Sequence, residues 1–169
     1  MIDSIKTYVA LGSNLGDSDA ILNQAVVAMS ANSAIHNVVE SPRYRTDPMG
    51  PQDQPDYLNS VCELDTSLDA HSLLAVLQTI ELECGRLRPV DEATIATLRW
   101  QARTLDLDLL LFGDAEIHDE RLTVPHVGIA SRSFVLQPLF DLNPTLTIKG
   151  VGPVAELLKV VDKLGIRPA

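Results

Sequence analysis

The sequence predicts an α+β fold. Strand patterns and two amphipathic helix patterns follow one another in the order strand, helix, strand, strand, helix, strand, which is typical of a sheet covered by helices. The chain has 169 residues, of which 46% are hydrophobic and 21% charged, so it can bury a core of its own. We therefore expect one domain over residues 1–169.

The first strand is predicted at Thr7–Leu11, with a turn at Gly12–Asp17. Asp17 or Ser18 can cap the helix that follows. The turn is rich in glycine but lacks the Gly-Lys-Ser/Thr ending of a phosphate-binding loop, so we favour a structural turn in which Asn14 could line a site. The apolar residues of the helix recur at helical spacing: Ile21, Leu22, Ala25, Val26 and Met29.

A second strand is predicted at Ile35–Tyr44, where Pro42 marks an edge or a bulge. The loop Arg45–Asp56 then carries three prolines and one glycine. Because prolines restrict the backbone and long loops in compact domains are usually functional, we interpret it as a shaped wall around a small ligand. An inert surface loop is the alternative.

The third strand, Tyr57–Leu64, places Tyr57 and Asn59 on one face directly after that loop. An aromatic ring beside an amide can stack on a flat heterocycle and bind its polar edge. Tyr57 could equally be an ordinary core residue.

The second helix is predicted from Asp69 to Cys84, with Gly85 as its stop. Glu81 lies on the apolar stripe, and a carboxylate on a packing face needs a partner. An alternative is that Glu81 reaches solvent at the helix end. The stripe is formed by Leu73, Leu74, Leu77, Ile80 and Cys84, and the candidate partners are Arg86, Arg88 and Arg103.

The strand Arg103–Phe112 alternates strictly, so its side chains divide between two faces. One face is a core face, whereas the other begins acidic and ends apolar. The first consists of Leu105, Leu107, Leu109 and Leu111, and the second of Thr104, Asp106, Asp108, Leu110 and Phe112.

Asp106 and Asp108 point the same way about 7 Å apart along the strand. At an effective dielectric near 20, such carboxylates repel by roughly 2 kcal/mol, which a bound cation would reverse. Oxygen ligands of this kind suit magnesium, which completes its shell with water and phosphate oxygens. We therefore hypothesise a magnesium–nucleotide site; the alternative is an exposed face with two solvated acids.

The segment Pro89–Arg99 before this strand is interpreted as a lid that brings Trp100 and Arg103 to the nucleotide. A static excursion with Trp100 packed on the core is the alternative. Beyond the strand, Ser131–Leu139 predicts a short helix ended by Pro138. Once an anion is assumed, three residues here resemble ligand contacts, although each could be structural: His126, Arg132 and Phe134.

The C-terminal segment predicts a packing helix that begins at Pro153 and ends before Gly165. Cys62 and Cys84 lack metal-site or disulfide spacing, so we expect two buried thiols. The apolar residues of the helix are Val154, Leu157, Leu158, Val161 and Leu164.

The net charge of −10 argues against a nucleic-acid partner. A cluster of arginines before the acidic strand instead suggests an anionic ligand: Arg86, Arg88, Arg99 and Arg103. No apolar run is long enough for a membrane span and no signal-peptide core is visible, so we expect a cytoplasmic protein without a membrane partner.

Taken together, the motifs resemble those of the 6-hydroxymethyl-7,8-dihydropterin pyrophosphokinase family of folate biosynthesis, in order from about Tyr8 to Pro144. The resemblance implies a ferredoxin-like sandwich, and transfer of the β,γ-diphosphate of ATP to the hydroxymethyl oxygen of the pterin with release of AMP. The motifs are Tyr44-Arg45-Thr46, Gly50–Asn59, Glu81–Arg88, Arg103–Asp108, Val124-Pro125-His126 and Arg132–Leu136.

The resemblance also implies residue roles in a monomer that binds ATP, the pterin and two Mg²⁺ ions. Asp106 and Asp108 would hold the metal and act in catalysis with Arg86 and Arg103. The pterin would be bound by Thr46, Met49, Gly50 and Asn59 and stacked between Tyr57 and Phe134. The ATP contacts would be Gln78, Glu81, Arg86, Arg88, Trp100, Arg103, Leu109, Arg121, Thr123, His126 and Arg132.

The chain departs from the family pattern at three places. Trp100-Gln101-Ala102-Arg103 stands where Trp-Gly-Pro-Arg is usual, the segment between Arg88 and Trp100 is longer and less basic, and Val127 replaces an aromatic residue after the histidine. Two alternatives therefore remain. One is a non-catalytic module that binds pterin or nucleotide, and the other is a nucleic-acid-binding ferredoxin-like domain, which the charge disfavours.

Overall fold

The computed structural model of the chain describes residues 3–85, 104–163 and 165–169. Within these ranges a six-stranded antiparallel sheet has helices on both faces. The strands are β1 (Ile5–Ser13), β2 (Ile35–Glu40), β3 (Tyr44–Thr46), β4 (Tyr57–Thr66), β5 (Asp106–Phe112), β6 (Ile117–His118), β7 (Thr123–Val124), β8 (Thr147–Ile148), β9 (Gly152–Pro153) and β10 (Arg167–Pro168). The helices are α1 (Ser18–Ala31), α2 (Ala70–Glu83), α3 (Ser133–Leu142) and α4 (Val154–Val160).

The sheet has the order β10-β3-β4-β1-β5, and β2 pairs with the far half of β4. β1 lies in the middle and pairs antiparallel with both β4 and β5. This is the ferredoxin-like arrangement, because each helix connects two strands that flank a third. The α+β fold predicted from the sequence is therefore confirmed.

Helices α1 and α2 pack on one face of the sheet and bury a core that includes Leu11, Met29 and Leu77. Both helices begin as the sequence predicts, since Asp17 accepts a hydrogen bond from the Ala20 N–H and Asp69 from the Ser72 N–H, each at 3.0 Å. Both predicted thiols are buried and free: Cys62 and Cys84.

Helices α3 and α4 cover the opposite face of the sheet, where a second core includes Val61, Leu136, Leu139 and Val154. The prediction that Pro138 ends α3 is wrong, because the helix continues to Leu142 with Pro138 buried inside it. Burial of the neighbouring Leu136 and Leu139 offsets the hydrogen bond that proline cannot donate. The last helix ends at Val160, earlier than expected, and Leu164 lies outside the described residues.

The strand predicted at Ile35–Tyr44 is two strands, β2 and β3, separated at residues 41–43. Ser41 anchors the break, because its N–H donates to Val61 O at 2.9 Å and its Oγ accepts from Val61 N–H at 3.0 Å. The next residue, Pro42, has no N–H to continue the ladder. The break allows the chain to pair with both ends of β4.

The alternation predicted for β5 holds only as far as Leu109. Tyr8 pairs with Leu111 and Val9 with Leu109, so Leu110 is a bulge without a partner on β1. One extra residue reverses the faces beyond it. Leu111 therefore lies in the α3/α4 core and Phe112 in the α1/α2 core, the opposite of the prediction.

Candidate active site

A cavity of about 310 Å³ opens where β1, β4 and β5 meet the loop 47–56 and the start of α3. Nine of the predicted site residues line it, and they come from segments far apart in the sequence. They are Thr46, Met49, Tyr57, Asn59, Asp106, Asp108, His126, Arg132 and Phe134.

The acidic pair lies on the half-buried side of β5 and faces the cavity. The partners of Asp106 and Asp108 on β1 are Gly12 and Ala10, two small residues that line the cavity beside the carboxylates. Two carboxylates on a cavity wall are the donors that magnesium commonly takes from a protein, with water and phosphate oxygens as the other ligands. The residues therefore fit the metal that the sequence suggested.

An imidazole and a guanidinium from the segment before α3 lie near Asp108. His126 Nε2 lies 3.7 Å and Arg132 Nη1 lies 3.8 Å from Asp108 Oδ2. The backbone N–H of His126 donates to the carbonyl of the bulged Leu110 at 2.9 Å. The bulge in β5 thus fixes the position of the His126 segment against the acidic strand.

Gly128 binds the first of these side chains and leaves room for the second. Its N–H donates to His126 Nδ1 at 3.0 Å, which leaves the imidazole proton on Nε2, toward Asp108. Burial lowers the pKa of His126, the charge of Arg132 lowers it further, and Asp106 opposes both effects. A Cβ at Gly128 would lie 2.7 Å from Arg132 Nε, so only glycine permits the observed position of that arginine.

Polar and aromatic groups suited to a heterocycle line the same cavity. The Asn59 amide is buried and donates to Thr46 Oγ1 at 2.9 Å and to Tyr44 O at 3.3 Å. Tyr57 begins β4 and Phe134 lies in the first turn of α3, and both rings are half-buried on the cavity wall. The Arg132 guanidinium carbon lies 5.9 Å from the centre of the Phe134 ring.

Glu81 is buried and accepts a hydrogen bond from the Leu107 N–H at 2.8 Å. The alternative in which this carboxylate reaches solvent is therefore wrong. Leu107 lies between the two aspartates on β5, so this hydrogen bond joins α2 to the acidic strand. Glu81 itself does not line the cavity.

Other predicted residues do not line this cavity. Leu109 is buried in the α1/α2 core, Gln78 is half-buried on α2, and Thr123 belongs to the β6–β7 hairpin. Arg121 is exposed, as is Gly50, which has a φ of +94°. The proposed lid, Pro89–Arg99, and four predicted site residues lie outside the described residues: Arg86, Arg88, Trp100 and Arg103.

Asn14, which the sequence suggests could line a site, does not line the cavity but holds the loop 47–56, since its Nδ2 donates to Gln54 Oε1 at 3.0 Å and Pro55 O at 2.9 Å. Residues that line the cavity but are not among the predicted site residues include Asp47 and Gly12. Asp47 lines the cavity beside Thr46. Gly12, predicted in a turn, lies in β1, because that strand extends two residues beyond its predicted end at Leu11.

Helices long and apolar enough to cross a membrane are absent from the part of the chain that the structure describes.

The fold and the cavity define a class of protein, a ferredoxin-like domain whose active site joins an acidic strand to an aromatic and amide pocket. The family described as 7,8-dihydro-6-hydroxymethylpterin-pyrophosphokinase (HPPK) matches residues 8–144. The chain belongs to this family, as the motifs predicted. It is a pyrophosphokinase of folate biosynthesis that acts on a pterin and uses ATP.

Relatives of similar length support this assignment. The chain is 44% identical over 155 residues to the 2-amino-4-hydroxy-6-hydroxymethyldihydropteridine pyrophosphokinase of Haemophilus influenzae, which covers 92% of both proteins. It is also 44% identical over 161 residues to the Pseudomonas aeruginosa protein of the same name, covering 95% of this chain and 94% of that one.

Solved structures share the fold at low sequence identity. Wild-type HPPK-DHPS of Plasmodium falciparum, solved with SDX-DHP, superposes with a TM-score of 0.69 at 14% identity and covers 93% of this chain. The match covers 44% of that longer protein, so this chain spans less than half of its length.

Proposed function

We propose that the cavity binds the pterin at its Asn59 end and the ATP phosphates at its Asp106 end. The chain would then transfer the β,γ-diphosphate of ATP to the hydroxymethyl oxygen of 6-hydroxymethyl-7,8-dihydropterin and release AMP. The observation that carries this assignment is that one cavity contains both the buried amide of Asn59 and the acidic pair.

Pterin recognition is assigned to groups that are held in place before binding. Asn59 is fixed by its hydrogen bonds to Thr46 and Tyr44, so its amide can meet the heterocycle without further ordering. Tyr57 and Phe134 are assigned to stacking on the ring. Met49 and Gly50 would contribute through the loop backbone, whose amides and carbonyls can match the donors and acceptors of a pterin.

Metal binding is assigned to Asp106 and Asp108, with two Mg²⁺ ions. When bound, magnesium supplies neutralisation of the phosphate charge and polarisation of the phosphoryl oxygens. The carboxylates place this charge beside the wall that holds the pterin. Catalysis by the chain itself then consists mainly of orienting the hydroxymethyl oxygen toward the β-phosphorus.

Phosphate contacts are assigned to His126 and Arg132. The imidazole can donate its Nε2 proton to a phosphate oxygen, while the guanidinium supplies a permanent charge. Catalytic roles for Arg86 and Arg103 remain proposals, as do the other ATP contacts. Those contacts are Arg88, Trp100, Gln78, Leu109, Arg121 and Thr123, with Glu81 acting through its hydrogen bond to β5.

We further propose that the chain acts as a monomeric, single domain in the cytoplasm, where ATP is supplied. Its partners would be ATP and the pterin, without nucleic acid or membrane, and the acidic net charge of −10 supports the exclusion of nucleic acid.

The experiment is to measure AMP release from ATP and Mg²⁺ with and without 6-hydroxymethyl-7,8-dihydropterin. We expect AMP formation that depends on both the pterin and the metal. Pterin binding by calorimetry without AMP formation would contradict the proposal and identify a non-catalytic binding module.

A further inference from the structure

Arg167 on strand β10 joins the two ends of the loop 47–56. Its Nη1 lies 3.3 Å from Asp47 Oδ1, and its Nη2 makes an ion pair with Asp56. Asp47 is the first residue of the loop and Asp56 the last. A single guanidinium therefore connects two residues that are nine positions apart in the chain. We call this pair, Asp47 and Asp56, the neck of the loop.

A cation stabilises the neck because two carboxylates lie close together there. Thr46 and Tyr57 form the last pair of the β3–β4 ladder, so Asp47 and Asp56 occupy the next pair of positions. Like charges that face each other across neighbouring strands destabilise the pairing. The guanidinium converts this repulsion into two attractions and holds the neck closed.

The backbone fixes Arg167 in this position. β10 pairs antiparallel with β3, with Arg167 opposite Arg45, and Arg167 Nη1 also donates to Gly165 O at 2.7 Å. Gly165 has a φ of +62°, and a Cβ there would overlap the Asp47 carboxylate. The segment 165–169 is thus shaped to fit the base of the loop.

The same loop and its flanks form part of the cavity wall. Thr46, Asp47, Met49 and Tyr57 all line the cavity, and all lie in the loop or next to its neck. Asn14 holds the loop from the side of β1, through Gln54 and Pro55. We propose that Arg167 is a positioning residue for the pterin, because it closes the neck and so sets where Asp47 and Met49 lie relative to Thr46 and Tyr57; this rests on the proposed function.

The first test compares Arg167→Gln with wild type. We expect the KM and the calorimetric Kd for the pterin to rise by about tenfold, because the wall shifts relative to the bound ring. The KM for ATP and kcat should stay within about twofold, since the acidic strand is untouched. The melting temperature should change little, because an exposed ion pair contributes little to stability. Lys159→Gln, which breaks the exposed Lys159–Glu156 pair on α4, is the control for loss of one positive charge.

The second test is the double variant Arg167→Gln/Asp56→Asn. If the guanidinium acts by neutralising the two carboxylates, removing one of them should restore most of the pterin affinity that Arg167→Gln loses. Arg167→Lys should retain a large part of it. A wild-type pterin Kd in Arg167→Gln, an equal rise in the KM for ATP, or no rescue in the double variant would each overturn the inference.

The proposed function and the role of Arg167 are refuted by different outcomes. If wild-type protein binds the pterin but releases no AMP, the proposed function fails, while the calorimetric comparison still tests Arg167. If wild type releases AMP and Arg167→Gln behaves like Lys159→Gln, the function stands and the role of Arg167 is refuted.

Discussion

Asp108 lies near two donors, His126 and Arg132, neither of which reaches hydrogen-bond distance from its Oδ2. His126 Nε2 at 3.7 Å and Arg132 Nη1 at 3.8 Å are close enough to attract the carboxylate but not to donate to it. A phosphate group entering the cavity could therefore take these donors while the carboxylate turns to a metal ion. The arrangement suits a site in which positioning and electrostatics do most of the work.

Replacing Asp108 with alanine should remove turnover and leave pterin binding nearly intact. We expect kcat to fall by at least about 100-fold, because the proposed metal, which neutralises the phosphate charge, loses one of its two carboxylate ligands. The pterin Kd from calorimetry should change only a few-fold, since Asn59 and the aromatic residues remain. Asp114→Ala, in the exposed turn after β5, is the control. Normal turnover in Asp108→Ala would contradict the metal assignment.

Gly128 should matter through Arg132 alone. In Gly128→Ala the new Cβ would meet Arg132 Nε, so the guanidinium must move away from Asp108. We expect kcat to fall by about tenfold, with a melting temperature close to wild type because the displaced atoms end a flexible side chain.

A double-mutant cycle tests this mechanism. In an Arg132→Ala background, Gly128→Ala should have no further effect on kcat, because the side chain that it displaces is absent. Additive losses in the double variant would show that Gly128 acts by another route, such as its hydrogen bond to His126.

At the level of elements, the alternation of polar and apolar residues predicts the faces of β5 correctly in its first half but not in its second. Alternation correctly predicts the opposite faces of Asp106 and Leu107, because polar and apolar residues differ there. From Leu109 to Phe112 every residue is apolar, so the pattern contains no signal for the bulge at Leu110. The bulge is specified by tertiary contacts, including the hydrogen bond from His126, which no local pattern can reveal.

Glu81 links α2 to β5, and its removal should weaken the acidic strand. Glu81→Ala leaves the buried Leu107 N–H without this acceptor, which we expect to lower the free energy of unfolding by about 1–3 kcal/mol in urea titrations. Glu81→Gln keeps an acceptor oxygen and should lose less. Equal stability of the two variants would show that the hydrogen bond to Leu107 contributes nothing.

At the level of the whole molecule, spacing within one strand predicts site residues that are close together in the chain, whereas residues from distant segments, such as His126 and Arg132, are assigned a common site only through the family motifs. Asp106 with Asp108, and Tyr57 with Asn59, were found because neighbouring strand residues share a face. Asn14 and Arg167 support the same loop from opposite ends of the chain. Each is a single polar residue in a short segment, and nothing in its local sequence indicates its partner.

The two cores share strands β1, β4 and β5, so the chain should unfold as one cooperative unit. Leu77→Ala in the α1/α2 core and Leu136→Ala in the α3/α4 core should each cost about 2–5 kcal/mol, because both side chains are fully buried. Each should shift a single calorimetric transition whose van't Hoff and calorimetric enthalpies agree. Val160→Ala, on the exposed side of α4, should change stability by less than about 0.5 kcal/mol. Two separate transitions in Leu136→Ala would mean that the α3/α4 layer unfolds alone, and the single-domain proposal would then be wrong.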